Sequence, residues 1–173
     1  SLNINFDDFS LSDDDFDHKS MIHGINHVYR VMFNTLLIGS KIGDVKNTRN
    51  AFFAAFLHDL ARKTDDACLI HGRESAKNKL PLYINLLNRN GATEQDIKSI
   101  KVAIENHSDR QEIEKDNPYY KTASILRDAD GMDLVRLDRT INPTILRNEE
   151  SRNLIDKTTE LYNKTVFKKC DSF

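Results

Sequence analysis

An adjacent histidine and aspartate, His58-Asp59, lie inside the most apolar stretch of this chain, residues 51–61. Nine of these eleven residues are apolar and cover every face of a helix, so we predict a buried helix over 49–62 with Thr48 as its N-cap. A buried carboxylate and imidazole are costly unless another group pairs with them. A bound metal cation satisfies both groups at once. A neutral core histidine beside an arginine-paired aspartate is the alternative interpretation.

The composition is typical of one globular domain. The chain has 173 residues, of which 39% are hydrophobic, which is enough for one core. Its net charge of -2 provides no basic surface for a nucleic acid polymer. No run of about 18 apolar residues and no signal peptide pattern occurs, so we expect a cytoplasmic protein without membrane contact. Cys68 and Cys170 are expected to be free thiols, and the oligomeric state stays open.

Helical periodicity recurs along the chain, and no series of strand patterns interrupts it. The predicted fold class is therefore all-α, a single-domain helical bundle. We divide the chain into an acidic N-terminal arm over 1–19, a core domain over 20–140 and a C-terminal segment over 141–173 whose helix packs on the core. Besides the buried helix, six further helices are predicted: 20–43, 72–79, 81–89, one from Thr93 to about His107, 119–138 and 149–168.

The first of these helices carries a narrow polar stripe. His23, His27, Arg30 and Asn34 are spaced i, i+4, i+7 and i+11, so they share one helix face. Apolar residues flank this stripe on both sides, which favours the lining of a site. A solvated helix face is the alternative.

Three aspartates cluster later in the chain, at Asp128, Asp130 and Asp133, again between apolar residues. Repulsion among close carboxylates favours a cation partner. The alternative is a polar helix face paired with Arg127 and Arg136. Histidine and carboxylate ligands together suit divalent first-row metals, with positions left open for water and substrate.

Cations stand beside these candidate ligands and would suit a phosphate group. They are Arg30, Arg62, Lys63 and Arg73. A phosphate ester is therefore the natural substrate class, because a bound metal lowers the pKa of water and polarises a phosphoryl oxygen.

Five segments in this order resemble the motifs of the HD-domain superfamily of metal-dependent phosphohydrolases. They are residues 23–31 (HGINHVYRV), 57–62 (LHDLAR), 71–76 (HGRESA), 104–108 (IENHS) and 128–133 (DADGMD). Two positions depart from the family pattern: Gly131 replaces a basic residue that often follows the last ligand, and Ala61 replaces a glycine after the His-Asp pair. The resemblance implies that residues 20–140 form an HD-type domain of a small stand-alone member.

The resemblance also implies roles for individual residues. The principal metal would be bound by His27, His58, Asp59 and Asp130. A second metal or the substrate phosphate would be bound by His71 and His107. We further expect Asp59 or Asp128 to help accept a proton during catalysis. The predicted substrate-binding residues are His23, Arg30, Arg62 and Lys63.

The expected function is hydrolysis of a phosphate ester or anhydride, most simply of a nucleotide, by metal-activated water. The cofactor would be a divalent ion (Mn, Fe, Mg, Zn, Ni or Co), with one metal expected and two compatible with the ligand supply. The expected partner is a small phosphorylated molecule. Two alternatives stay open: a non-catalytic sensor of nucleotide or metal, and a diiron oxygenase on the same scaffold.

Overall fold

Helices make up the regular structure of residues 2–167, the part of the chain that this computed structural model describes, and none of these residues lies in a β-strand. The all-α prediction is therefore confirmed. The α-helices are α1 (Ile25–Ile42), α2 (Val45–Leu57), α3 (His71–Asn78), α4 (Leu80–Arg89), α5 (Glu94–His107), α6 (Tyr120–Met132), α7 (Glu149–Arg152) and α8 (Ile155–Phe167). Short 3-10 turns occur at Phe6–Asp8, Asp13–Asp15, Asp133–Leu137 and Pro143–Ile145.

Helix α2 lies at the centre of the bundle, packed against α1, α5 and α6. All of its residues from 50 to 57 are buried, as the apolar stretch predicts. The prediction of Thr48 as N-cap is wrong, because the Asp44 side chain accepts the Asn47 N–H at 3.0 Å and starts the helix earlier. The helix also ends at Leu57 rather than 62. His58 and Asp59 consequently lie in the turn that follows it.

A glycine allows α1 and α2 to cross closely. A Cβ atom on Gly39 would overlap the Thr48 side chain of α2. Gly43 ends α1 in the left-handed conformation, with φ +77°, which costs a glycine little. The chain therefore reverses within two residues and places α2 directly against α1.

The N-terminal segment is attached to α2 and α4 by apolar and polar contacts. Phe9 is 3% exposed and packs against Phe52, Phe53 and Phe56, with ring centroids 5.2–5.4 Å apart. The Asp17 N–H donates to the Leu60 carbonyl oxygen at 2.9 Å. The start of the chain is thereby held beside the turn that carries His58 and Asp59.

The C-terminal segment continues across the 3-10 turn after α6. The predicted helix over 149–168 is interrupted at Asn153-Leu154, so α7 and α8 are separate. Helix α8 packs on this 3-10 turn and on α6, with Leu154 buried. Cys68 is a free thiol, as predicted, whereas Cys170 lies outside the described residues. Within residues 2–167, no helix has the length and apolar character needed to cross a bilayer.

Candidate metal centre

Four side-chain atoms converge in the interior of the bundle, supplied by α1, α6 and the turn after α2. The Nε2 atoms of His27 and His58 lie 3.2 Å apart. The His27 Nε2 atom also lies 3.4 Å from Oδ2 of Asp59 and 3.4 Å from Oδ1 of Asp130. Ligands placed tetrahedrally at about 2.1 Å from a metal are about 3.4 Å from one another. The distances from His27 to the other three predicted ligands therefore match those expected within a metal site.

In their neutral forms, the two imidazoles of this group turn unprotonated nitrogens toward each other. Nδ1 of His27 lies 2.7 Å from Oδ2 of Asp133, and Nδ1 of His58 lies 2.7 Å from the Ala55 carbonyl oxygen. Because these oxygens accept hydrogen bonds, each neutral ring carries its proton on Nδ1 and a lone pair on Nε2. Two lone pairs at 3.2 Å repel unless a cation lies between them. The donor set thus fits a divalent metal.

A second group of nitrogens adjoins the first through Asp59. Its Oδ1 atom lies 3.1 Å from Nε2 of His71 and 3.5 Å from Nε2 of His107, and these nitrogens are 2.9 Å apart. Nδ1 of each ring faces a backbone carbonyl, of Cys68 and of Ile104 respectively. Both Nε2 atoms are therefore unprotonated in the neutral rings. Asp59 directs one carboxylate oxygen toward each group.

Helix ends bring the second group together. His71 is the first residue of α3, and His107 is the last residue of α5. A Cβ atom on Gly72 would overlap the Ile104 carbonyl oxygen and the Ser108 hydroxyl. The absence of a side chain at Gly72 therefore lets the start of α3 approach the end of α5.

Burial and neighbouring charges shift the pKa values at the centre. Burial lowers the pKa of His58 to about 3. Burial by itself raises the pKa of Asp59 and Asp130, but the surrounding imidazoles hold the pKa of Asp59 well below its usual range and lower that of Asp130 to about 2. Burial lowers the pKa of His27, yet hydrogen bonds with Asp133 and Asp59 raise it above its usual value overall. The centre therefore favours bound positive charge.

The four residues of the principal group differ in exposure to solvent. The side chains of His27, His58 and Asp59 are exposed by 1%, 0% and 3%, whereas that of Asp130 is 28% exposed. Of these four side chains, that of Asp130 is therefore the one most accessible to solvent.

Two of the four predicted substrate-binding residues contact the centre. Nδ1 of His23 lies 3.1 Å from Oδ2 of Asp59. Nη1 of Arg62 lies 3.1 Å from Nε2 of His71 and 3.7 Å from Oδ1 of Asp59. The structure thus places His23 beside the principal group and Arg62 beside the second group.

The other two predicted substrate-binding residues are paired with carboxylates outside both groups. Nε and Nη2 of Arg30 donate to the two carboxylate oxygens of Asp133, at 2.6 and 3.0 Å. Nζ of Lys63 donates to Oδ2 of Asp17 at 2.6 Å, and its side chain is largely exposed. The structure therefore connects Lys63 with the N-terminal segment and Arg30 with the residue that faces His27.

Of the two proton acceptors offered by the sequence, Asp59 or Asp128, the structure argues against Asp128. Its carboxylate is fully buried and accepts the backbone N–H groups of Arg147 and Asn148, each at 2.8 Å. The Asn148 side chain donates to it as well, at 2.9 Å. These bonds occupy the carboxylate and fix the chain before α7, so Asp128 has a structural role away from the ligand groups.

Sequence analysis missed two residues that contact the centre. Asp133, assigned only to the acidic cluster, lies 2.7 Å from Nδ1 of His27. Nη2 of Arg136 lies 3.3 Å from Nδ1 of His23, and its Nε donates to the Ile22 carbonyl oxygen at 2.8 Å. The available signal was spacing, since Asp133 and Arg136 follow the predicted ligand Asp130 at successive intervals of three residues.

Fold and site together define an all-α protein with a buried centre of histidines and carboxylates. A family model described as HD domain matches residues 24–134, the greater part of the chain, and the chain therefore belongs to the HD-domain family.

Among solved structures, the chain is similar to the crystal structure of a predicted HD superfamily hydrolase from an uncultured Thermotogales bacterium. The two chains are 25% identical with a TM-score of 0.58, and the similarity covers 98% of this chain and 89% of the other. No curated protein matches the chain significantly in sequence.

Proposed function

We propose that this protein is a metal-dependent phosphohydrolase that cleaves a phosphate ester or anhydride of a nucleotide. The observation that carries the proposal is the Asp59 carboxylate, with each oxygen directed toward a separate group of unprotonated imidazole nitrogens. Family membership supports it, as does the name of the similar Thermotogales protein, a predicted HD superfamily hydrolase.

The ligand sets follow from the two groups. The principal metal would be held by His27, His58, Asp59 and Asp130. A second metal would be held by His71, His107 and the other oxygen of Asp59. Manganese, iron, zinc, nickel, cobalt and magnesium are compatible with these ligand types. When bound, such an ion lowers the pKa of a coordinated water and polarises a phosphoryl oxygen.

Arg62 supports a phosphate as the substrate group. Its guanidinium is 8% exposed and lies against the His71 ring, 3.7 Å from the Asp59 carboxylate. Its Nε–H is buried without an acceptor among the described residues. Because an unpaired buried donor is costly, an anionic oxygen of the substrate would satisfy it and neutralise the charge.

The ligand set is tested first by metal content. Protein purified without chelator or added metal is analysed for iron, manganese, zinc, nickel and cobalt per chain. We expect at least one metal ion per chain in the wild type and none in Asp59→Ala. The matched control is Asp17→Ala, which removes a paired aspartate of the N-terminal segment and should retain the metal.

The reaction is tested next, with a panel of nucleotides and the metal that was found. Release of phosphate or a nucleotide product by the wild type, absent in Asp59→Ala, supports the proposal. A protein that takes up neither manganese nor iron contradicts it. Thermal stabilisation by a nucleotide without product would indicate a sensor, and metal-dependent oxygen consumption would indicate an oxygenase.

A further inference from the structure

His27 differs from the other histidines of the two ligand groups in the hydrogen-bond partner of its Nδ1 atom. Nδ1 of His58, His71 and His107 each lies 2.6–2.7 Å from the carbonyl oxygen of the residue three positions earlier. Their rings are therefore oriented by local backbone. The partner of His27 Nδ1 is instead a side chain 106 positions away, the carboxylate of Asp133.

The position of His27 explains this difference. It is the third residue of α1, and the residue three positions earlier is Gly24. The Gly24 carbonyl oxygen already accepts the Val28 N–H at 3.1 Å, as the first turn of the helix requires. The His27 ring is oriented instead by a side chain from another element, Asp133.

Asp133 is itself held by arginine. Arg30 donates to both of its oxygens, at 2.6 and 3.0 Å, and Nη1 of Arg136 lies 3.8 Å away. The Asp133 side chain is 2% exposed, so it is poorly placed for solvation and depends on these cations. The Arg30 guanidinium also lies over the Tyr162 ring of α8, 5.1 Å from its centroid. Arg30 is thus held between a carboxylate and an aromatic ring.

We propose that Asp133 and Arg30 are positioning residues for the metal ligand His27, and that Arg30 acts through Asp133 rather than on the substrate phosphate. The carboxylate keeps the His27 proton on Nδ1 and the Nε2 lone pair directed at Asp59 and Asp130. A charged acceptor also makes Nε2 a stronger ligand. The inference rests on the metal site of the proposed function, but not on the reaction.

The test measures metal affinity without turnover. Metal-free wild type, Asp133→Asn, Arg30→Gln and Arg30→Lys are titrated with Co²⁺ against a competing chelator, and the absorption spectrum of bound Co²⁺ is recorded. Loss of such a partner typically weakens metal binding by about 10- to 100-fold, and we expect that range for Asp133→Asn. Arg30→Gln should weaken Co²⁺ binding less than Asp133→Asn does, and Arg30→Lys should weaken it least. All three variants should alter the Co²⁺ spectrum.

The matched control is Asp96→Asn, because Asp96 is also a buried aspartate, with Arg49 3.2 Å away, but lies at the opposite end of α5 from His107. It should lower the melting temperature of the metal-free protein and leave Co²⁺ affinity unchanged. This control separates loss of stability from loss of ligand orientation.

Inorganic phosphate binding to the metal-loaded protein distinguishes the two roles of Arg30. The proposal is overturned if Asp133→Asn folds and binds Co²⁺ as the wild type does. It is also overturned if Arg30→Gln loses phosphate binding while its Co²⁺ affinity is unchanged. Should Asp133→Asn fail to fold, Arg30→Gln decides, since it leaves the carboxylate in place. A protein that binds Co²⁺ as expected but hydrolyses no nucleotide disproves the proposed function alone.

Discussion

His27 and His58 direct their Nε2 atoms toward each other, but the pKa values of the two rings are shifted in opposite directions. Burial lowers the pKa of His58 to about 3, so its ring stays neutral across the physiological range. The pKa of His27 is lowered by burial but raised further by hydrogen bonds with Asp133 and Asp59, and lies above 6.5. Of the two rings, that of His27 therefore binds a second proton more readily when no metal is bound.

This difference predicts that the first equivalent of metal displaces one proton. His27 must lose its proton to bind, whereas His58 has none to lose, so metal affinity should rise with pH up to the pKa of His27. Calorimetric titration with Mn²⁺ at pH 6.0, in two buffers of different ionisation enthalpy, should show release of about one proton per metal. Release of none, or of two, would contradict the assignment.

The sequence predicted which residues would lie at the centre better than it predicted which side chains would contact them. The candidate ligands could be selected because polar residues at His27, His58-Asp59 and Asp130 interrupt apolar segments. The link between His27 and Asp133 was not, because helical periodicity defines which face a residue occupies but not which distant side chain meets it. Asp128 shows the converse, since a buried aspartate two residues from Asp130 looks the same in sequence whether it binds metal or holds a backbone segment such as Arg147-Asn148.

At the scale of helices, the contact between α3 and α5 determines the geometry of the second ligand group. Gly72→Ala should separate His71 from His107, because the added methyl group overlaps the Ile104 carbonyl oxygen. Overpacking of this kind costs about 1–3 kcal/mol. We expect that loss in the free energy of unfolding by denaturant, together with weaker binding of a second metal equivalent.

The matched control for this change is Gly131→Ala. A Cβ atom there would meet only the Leu146 side chain, at 3.8 Å, which is an ordinary contact. An equal loss of stability in both variants would show that the effect of Gly72→Ala does not come from the contact between α3 and α5.

The attachment of the N-terminal segment should depend on pH through Asp17. Burial by itself raises the pKa of Asp17, but hydrogen bonds from Lys63 and Lys79 lower it below 3.8 overall. A lowered carboxyl pKa stabilises the fold above the unfolded-state value and loses this effect as the pH falls through the folded-state value. Asp17→Asn should therefore lower the melting temperature at pH 7 and lower it less at pH 3. An equal effect at both pH values would contradict this.

The helix boundaries show what local sequence can define. Thr93 was predicted to start α5, and its side chain accepts the Asp96 N–H while Asp96 accepts the Thr93 N–H. The start of α2 was predicted wrongly because two capping candidates, Asp44 and Thr48, lie four residues apart. The tight turn at Gly43 makes Asp44 the N-cap of α2. This turn depends on packing between α1 and α2.

At the scale of the molecule, the centre draws its ligands from α1, α3, α5, α6 and the turn after α2, so it exists only when these helices are docked. Metal should therefore bind the folded chain selectively and stabilise it by about 2.7 kcal/mol at a free concentration 100 times Kd. A thermal melt should show a higher melting temperature with Mn²⁺ and a lower one with chelator. Asp59→Ala should respond to neither, and a response equal to that of the wild type would contradict the site.

The order of these ligands along the chain has a consequence during synthesis. His27, His58, Asp59, His71 and His107 leave the ribosome before α6, which supplies Asp130 and leads into Asp133. A nascent chain without α6 therefore presents mostly imidazole nitrogens, a ligand set that favours copper and zinc over magnesium or manganese. Because α6 follows the other ligand-bearing segments, the full set of candidate ligands, and with it any selection among metals, becomes available only after α6 has been translated.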